Sequence, residues 1–166
     1  MQPTVSLVGG PSTLQSITAQ TSDAYSSFIG ATVLPVVDAA QAGNDGYACT
    51  ALSQYALYNA VALIEQGNCD FTTKATNAAA AGALGIIFYM NTAGTLSPVE
   101  IQDGNEDIPL YGPIVIVGNS DGLNLKTYID AHPGSSTLVD PAGWEMLIAA
   151  YDAQASSCLL YTSRCV

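Results

Sequence analysis

Two apolar runs, residues 61–64 (Val-Ala-Leu-Ile) and residues 84–90 (Leu-Gly-Ile-Ile-Phe-Tyr-Met), bracket a stretch with a different period. Each run is short and lacks polar alternation, so each reads as a strand buried on both faces. Between them Phe71, Ala75, Ala78, Ala79 and Gly82 fall along one side of a helix. Gln66-Gly67-Asn68 turns the chain out of the first strand, and Asp70 or Thr72 can cap the helix by accepting from its free N–H groups. Gly82 can supply the left-handed residue that ends it. Strand, helix and strand in this order make a β-α-β unit. Its strands should therefore run parallel, with a right-handed crossover. The alanine stripe is narrow and lets the helix approach the sheet closely.

The rest of the chain extends this α/β pattern. Residues 5–8, 27–29 and 32–37 are short strand candidates in a region rich in Ser and Thr. Gly43-Asn44-Asp45-Gly46 is a turn, and Cys49 opens an irregular segment or short helix that runs to about Tyr58. Residues 91–107 form a polar excursion, with a short strand expected at Val99-Glu100-Ile101. Residues 114–117 are a third buried strand. Ser120 or Asp121 should cap a second helix, whose Leu125, Tyr128 and Ile129 share a face, and Pro133-Gly134 should end it. Residues 136–139 are a last strand. No internal repeat is visible.

Composition removes several functional classes. The chain of 166 residues is one ordinary domain, and 49% of it is hydrophobic, enough for a core. It carries 3 Lys+Arg against 14 Asp+Glu, a formal net charge of −11. So few cations cannot neutralise phosphates, which argues against nucleic-acid partners. An anionic membrane surface would repel the chain, and no apolar run is long enough to span a bilayer.

The residues from 59 to 91 resemble the protease-associated (PA) domain family. Gly67, Cys69, Phe71, Lys74, Asn77, Ala78, Ala81, Gly82, Ala83 and Asn91 match its pattern of apolar strand, Arg-Gly-x-Cys-x-Phe-x-x-Lys, Asn-Ala helix and Ala-Gly-Ala strand. Gln66 stands where the family has arginine. A second block fits as well: Ile108-Pro109, residues 113–117, and Asp121-Gly122-Leu123-Asn124-Leu125-Lys126. The resemblance covers roughly residues 30–140. It implies a PA-type swivelling β/β/α domain, with a mixed β-sheet core and two main flanking helices. Residues 1–40 would be lead-in strands of the same domain and residues 41–140 the PA core. Residues 141–157 would be an extension toward a host domain that is missing here.

The resemblance also implies a role. It points to a non-catalytic protein-interaction or substrate-gating module of an extracellular peptidase, of subtilase or zinc-aminopeptidase type. The alternative is a PA module of a surface or receptor protein that binds a peptide or protein ligand. Partners would be the host peptidase domain, a peptide or a protein substrate, with no cofactor. Family members in secreted proteins often bridge cysteines at the positions of Cys49 and Cys69, which implies a disulfide and an extracellular or cell-surface location. Two free buried thiols are the other reading. Gln66, Gly67, Asn68, Lys74, Asn91 and Thr92 are the candidate partner-binding residues. For Lys74 the plainer expectation is a weak helix pair with Asp70.

Chemistry elsewhere is thin. His132 is the only histidine, and no Gly-x-Ser-x-Gly elbow accompanies it, so a hydrolytic triad is not expected. One His and two Cys that the resemblance implies are bridged cannot complete a zinc site. Asp103, Asn105 and Asp107 hold positions 1, 3 and 5 of a calcium loop, but Ile108 and Ile114 occupy the positions that need Gly and Glu. A looser site that adds Glu106 stands beside a solvated acidic turn as the alternative.

The two ends of the chain carry signals of their own. Residues 158–163 read Cys-Leu-Leu-Tyr-Thr-Ser, similar to a translated transposase mosaic-end adapter, so residues 158–166 are expected to be a sequencing artefact. A genuine short tail is the alternative. The start shows neither a basic n-region nor an apolar h-region, so no signal peptide is visible in this stretch.

Overall fold

The computed structural model describes residues 3–22, 32–43, 45–101 and 112–140. Within them the strands are β1 (Thr4–Leu7), β2 (Ile17–Thr21), β3 (Thr32–Asp38), β4 (Val61–Glu65), β5 (Gly85–Tyr89), β6 (Ile114–Val117) and β7 (Ser136–Asp140). The helices are α1 (Phe71–Ala80) and α2 (Asn119–Ala131). The strands close into a barrel in the order β1-β2-β6-β5-β4-β3-β7, with β7 returning to β1. β3, β4, β5 and β6 are parallel neighbours, and the remaining pairings are antiparallel.

β3 is where the two regimes meet. Its first half pairs with β7, with Pro35 opposite Ser136, and its second half pairs with β4 from Val36 onward. Proline has no N–H to give a ladder, so it is tolerated at this changeover.

The expected β-α-β unit is present: β4 and β5 run parallel over five register pairs, from Val61↔Gly85 to Glu65↔Tyr89. The apolar runs lack alternation because both of their faces are covered. Val61, Leu63, Ile87, Tyr89, Val115 and Val117 join one buried cluster with side chains of β1, β2, β3 and β7 and with Leu125 and Ile129 of α2. Ala62, Ile64, Ile86, Phe88, Ile114 and Ile116 join a second cluster with Ala75 and Ala78 of α1. Successive strand residues point to opposite faces, so one register serves both cores.

Local signals explain the ends of α1. The Asp70 carboxylate accepts from the Thr73 N–H at 2.7 Å and from the Thr73 hydroxyl at 2.8 Å. At the other end Gly82 takes a φ of +94°.

Several expectations are corrected. Strand β2 falls in a stretch where none was expected, because Ile17 and Ala19 give only two buried positions. Neither Ser120 nor Asp121 caps α2. The N-cap is Gly118, without a side-chain cap, and Asp121 lies in the first turn, where its charge suits the helix dipole. Val99 makes one isolated parallel bridge to Ser22 and no strand. Of the irregular segment or short helix expected from Cys49 to about Tyr58, the irregular alternative is the one found, with residues 54–59 in turns. The expected strand at 27–29, the calcium candidates Asp103, Asn105 and Asp107, and residues 141–166 lie outside the described residues.

Candidate binding cleft

The carboxyl ends of β4 and β5 each run into an irregular segment. After β4 the Gln66 N–H is held by the Tyr89 carbonyl at 2.9 Å, and Gly67 and Asn68 then take φ values of +104° and +66°. After β5 the Met90 N–H goes to the Val117 carbonyl, and the Asn119 side chain donates to the Met90 carbonyl at 2.8 Å. The two segments touch. A Cβ on Gly67 would lie 2.9 Å from Asn91 Nδ2, so this turn needs glycine for space as well as for its φ.

A cleft of about 370 Å³ opens beside this junction. Its apolar wall is Phe71, Met90, Pro98 and Ile116, and its polar rim is Gln66, Asp70, Thr72, Thr95, Ser97 and Glu100. Phe71 is held edge-to-face against Phe88 with ring centroids 4.8 Å apart, so the wall is continuous with the core. Asp70 titrates below the ordinary carboxylate range, chiefly because its carboxylate accepts the Thr73 N–H.

Of the residues singled out from the sequence, Gln66 lines the cleft and Gly67 and Asn68 form the turn beside it. Asn91 meets that turn and, with Thr92, sits exposed on the neighbouring loop. Lys74 does not join them. Its side chain is fully buried, with 0% exposure, so it cannot offer its charge to a partner. It also forms no ion pair with Asp70. Its ammonium donates to the Tyr47 carbonyl at 2.5 Å and to the Glu65 carbonyl at 2.9 Å, and it lies 5.2 Å from the centroid of the Tyr47 ring. Burial pushes this lysine down to about 8, against the opposing fields of Asp45, Glu65 and Asp70. Asn77, one turn further along α1, donates to the Ala48 carbonyl at 2.8 Å.

Lys74 and Asn77 thus clamp the 47–49 segment onto α1, and covalent chemistry completes the clamp. Cys49 and Cys69 form a disulfide with a sequence separation of 20. Closing a loop of that length is worth roughly 3 kcal/mol in the chain-entropy account. Lys126 is also held by partners. It pairs with the buried Asp38 and with Asp130, and Asp130 also accepts from Gln41 at 2.7 Å, which ties α2 to the end of β3.

Sequence reasoning missed Phe71, Met90, Pro98 and Ile116 as cleft residues. Their signal was present but ambiguous, since apolar residues at strand and helix ends read as core. His132 stacks on Tyr128 with centroids 4.1 Å apart, and its Nδ1 lies 2.9 Å from the Tyr128 carbonyl, an arrangement that finishes α2. Among the described residues no group of three or more His, Cys, Asp or Glu side chains is placed to hold a metal ion, and no helix is long and apolar enough to cross a membrane.

The PA-domain family model matches residues 31–125. The chain belongs to the PA-domain family. Its barrel is similar to parts of two solved aminopeptidases: the zinc aminopeptidase of Bacillus subtilis, with a TM-score of 0.56, and the aminopeptidase of Aneurinibacillus sp. strain AM-1, with 0.57. Identity is 22% in both, over 84% of this chain and 30% of the other, which establishes a shared fold. A curated relative, "Probable leucine aminopeptidase 2" of Aspergillus fumigatus, is 32% identical over 71 residues. That match covers 43% of this chain and 14% of the relative, so the chain spans less than a third of the length of each of these proteins.

Proposed function

We propose that this PA domain is a non-catalytic accessory module of an extracellular peptidase, and that the cleft beside Gln66 holds a stretch of the peptide substrate. The cleft is the observation that carries this reading. It lies outside the carboxyl ends of β4 and β5, where parallel sheets commonly receive ligands. It joins an apolar wall to a polar rim, the composition expected of a site for a peptide with mixed side chains. The membership of the family and the likeness to aminopeptidases support a peptidase as host. The disulfide supports an oxidising compartment. Residues 1–40 are lead-in to the same barrel in this reading, and residues 141–157 lead toward the host domain.

The test is an NMR titration of the isotope-labelled chain with a mixed library of tripeptides to pentapeptides. Shifts clustered at Gln66, Phe71, Met90 and Thr95 are expected. No shift up to millimolar peptide, or shifts confined to the α2 side of the barrel, would sink the reading.

A further inference from the structure

We propose that the Cys49–Cys69 bridge is a directed thiol-exchange site, in which an incoming thiolate bonds to Cys69 and Cys49 leaves as a thiolate held by Lys74. The inference rests on the clamp around residues 47–49 and is independent of the cleft.

A disulfide offers two sulfurs to a nucleophile, and the sulfur that leaves is the one whose thiolate is better stabilised. Cys49 Sγ lies 3.8 Å from Lys74 Nζ. Two protons of that ammonium go to the carbonyls of Tyr47 and Glu65, which leaves the third for the sulfur. The lysine is shielded from water, so its charge is poorly screened by salt. Its surroundings hold the acids Asp45, Glu65 and Asp70 and the Tyr47 ring, yet among the described residues no carboxylate lies within ion-pair distance of its nitrogen.

Cys69 has the opposite setting. It directly precedes Asp70, whose negative carboxylate accepts the Thr73 N–H at the start of α1. The other described lysine, Lys126, is held by Asp38 and Asp130. The carbonyls of Tyr47 and Gly67, 3.8 and 3.9 Å from Cys49 Sγ, would accept from a neutral thiol there and oppose the thiolate. A full charge outweighs these weak S–H acceptors. Both cysteines are half-buried, so the bridge is not sealed from a small thiol.

The step balances with an external thiol as reductant. Its sulfur bonds to Cys69 Sγ, the Cys49–Cys69 bond breaks, and the bond pair leaves on Cys49 beside the ammonium. A second thiol molecule, as thiolate, attacks the reagent's sulfur in the mixed disulfide and expels the Cys69 thiolate. Two electrons have then passed from two thiols to two cysteines. The reagent has become its own disulfide, and the protons of its thiols pass to solvent or to the cysteines.

The experiment uses the whole chain and the uncharged thiol 2-mercaptoethanol at pH 7, quenched with acid. Chymotryptic peptides separate Cys49 from Cys69 at Tyr58, and they separate both from Cys158 and Cys165. The adduct is expected on Cys69 over Cys49 by roughly tenfold or more. Equal labelling, or a preference for Cys49, overturns the proposal. In the reduced chain carrying C158S and C165S, thiolate absorbance should show one thiol ionising at least about one unit below the ordinary 8.5. Iodoacetamide labelling against pH should assign that thiol to Cys49. Lys74→Met should return it to the ordinary value and Lys74→Arg should not. Two thiols that both ionise at or above 8.5 overturn the proposal, and the adduct mapping decides even if Lys74→Met does not fold.

Discussion

Thr137 illustrates what a single buried polar atom does in this barrel. It lies on β7 opposite Leu7 on one side and Leu34 on the other, with no exposure. Its hydroxyl finds no hydrogen-bond partner among the described residues. Such a group loses its water on folding and gains nothing in return. Thr137→Val keeps the branched shape suited to a strand and removes the orphan hydroxyl. We expect it to stabilise the fold by about 1 kcal/mol, read as a higher urea midpoint at unchanged slope. Lys74 is the contrasting case, a buried polar group whose ammonium is satisfied by two carbonyls. Its position was legible in part. Residues 71, 74, 75 and 78 share one helical stripe, so the lysine stood on the face that Phe71, Ala75 and Ala78 bury. A lone lysine nonetheless reads as solvated by default, and the carbonyls that receive it lie 9 and 27 residues away.

Elements here are fixed by how closely they approach each other. Helix α2 meets β5 through Gly122, where an added Cβ would fall 2.1 Å from Tyr89 Cβ. In an exposed helix Gly→Ala would stabilise by about 1 kcal/mol. Here the sign reverses, and Gly122→Ala is expected to destabilise by roughly 1–3 kcal/mol through overpacking, with a lower thermal midpoint as the readout. At the start of α1, Asp70→Ala removes the cap and should lower stability by about 1 kcal/mol at neutral pH. Because the folded carboxyl titrates below its unfolded value of 3.8, its contribution is present above that value and disappears as pH falls through the folded one. Parent and variant should therefore converge in urea melts near pH 2, and a difference that persists there would rule out the carboxylate as its source. The elements that the sequence made legible were those with local signals: two-sided apolar runs, the Asp70 cap and the Gly82 stop. Barrel closure was not legible. It depends on β7 pairing with β1 and β3, contacts more than a hundred residues apart, and on β2, whose Ile-Thr-Ala-Gln-Thr carries only weak alternation. The cleft was legible only as two adjacent loops, because a wall built from 71, 90, 98 and 116 is a product of the folded topology.

Over the whole molecule, the scarcity of cations leaves few bases to titrate in alkali. With 3 Lys+Arg in the chain, the described bases that respond above pH 8 are Lys74 and Lys126. Lys74 has its folded value lowered from 10.5 to about 8 by burial, so the unfolded chain binds one more proton between those values. Stability therefore rises with pH across that window, on the order of 1.4 kcal/mol for each unit traversed. Among the described residues, Tyr89 and Lys126 act in the other direction at higher pH. Burial, reinforced by Glu65, holds the Tyr89 phenol above its ordinary 10.0, so above pH 10 the unfolded chain loses a proton that the folded chain keeps. Lys126, raised by its hydrogen bonds to Asp130 and Asp38 against the opposing effect of burial, loses its contribution above 10.5. The stability maximum should thus sit near pH 10, where most domains peak between about pH 5 and 8. The measurement is the urea midpoint at pH 7.5, 9.5 and 11, in about 0.5 M salt to screen the growing negative charge. C158S and C165S prevent alkaline exchange from the tail. The midpoint is expected to rise and then fall, and Lys74→Met should abolish the rise while leaving the fall. A wild-type midpoint that is flat or falling from pH 7.5 to 9.5 would mean that the buried ammonium is not strained by its site. Lys74 would then be an ordinary clamp held by two carbonyls, without the poorly screened charge on which its hold over Cys49 depends.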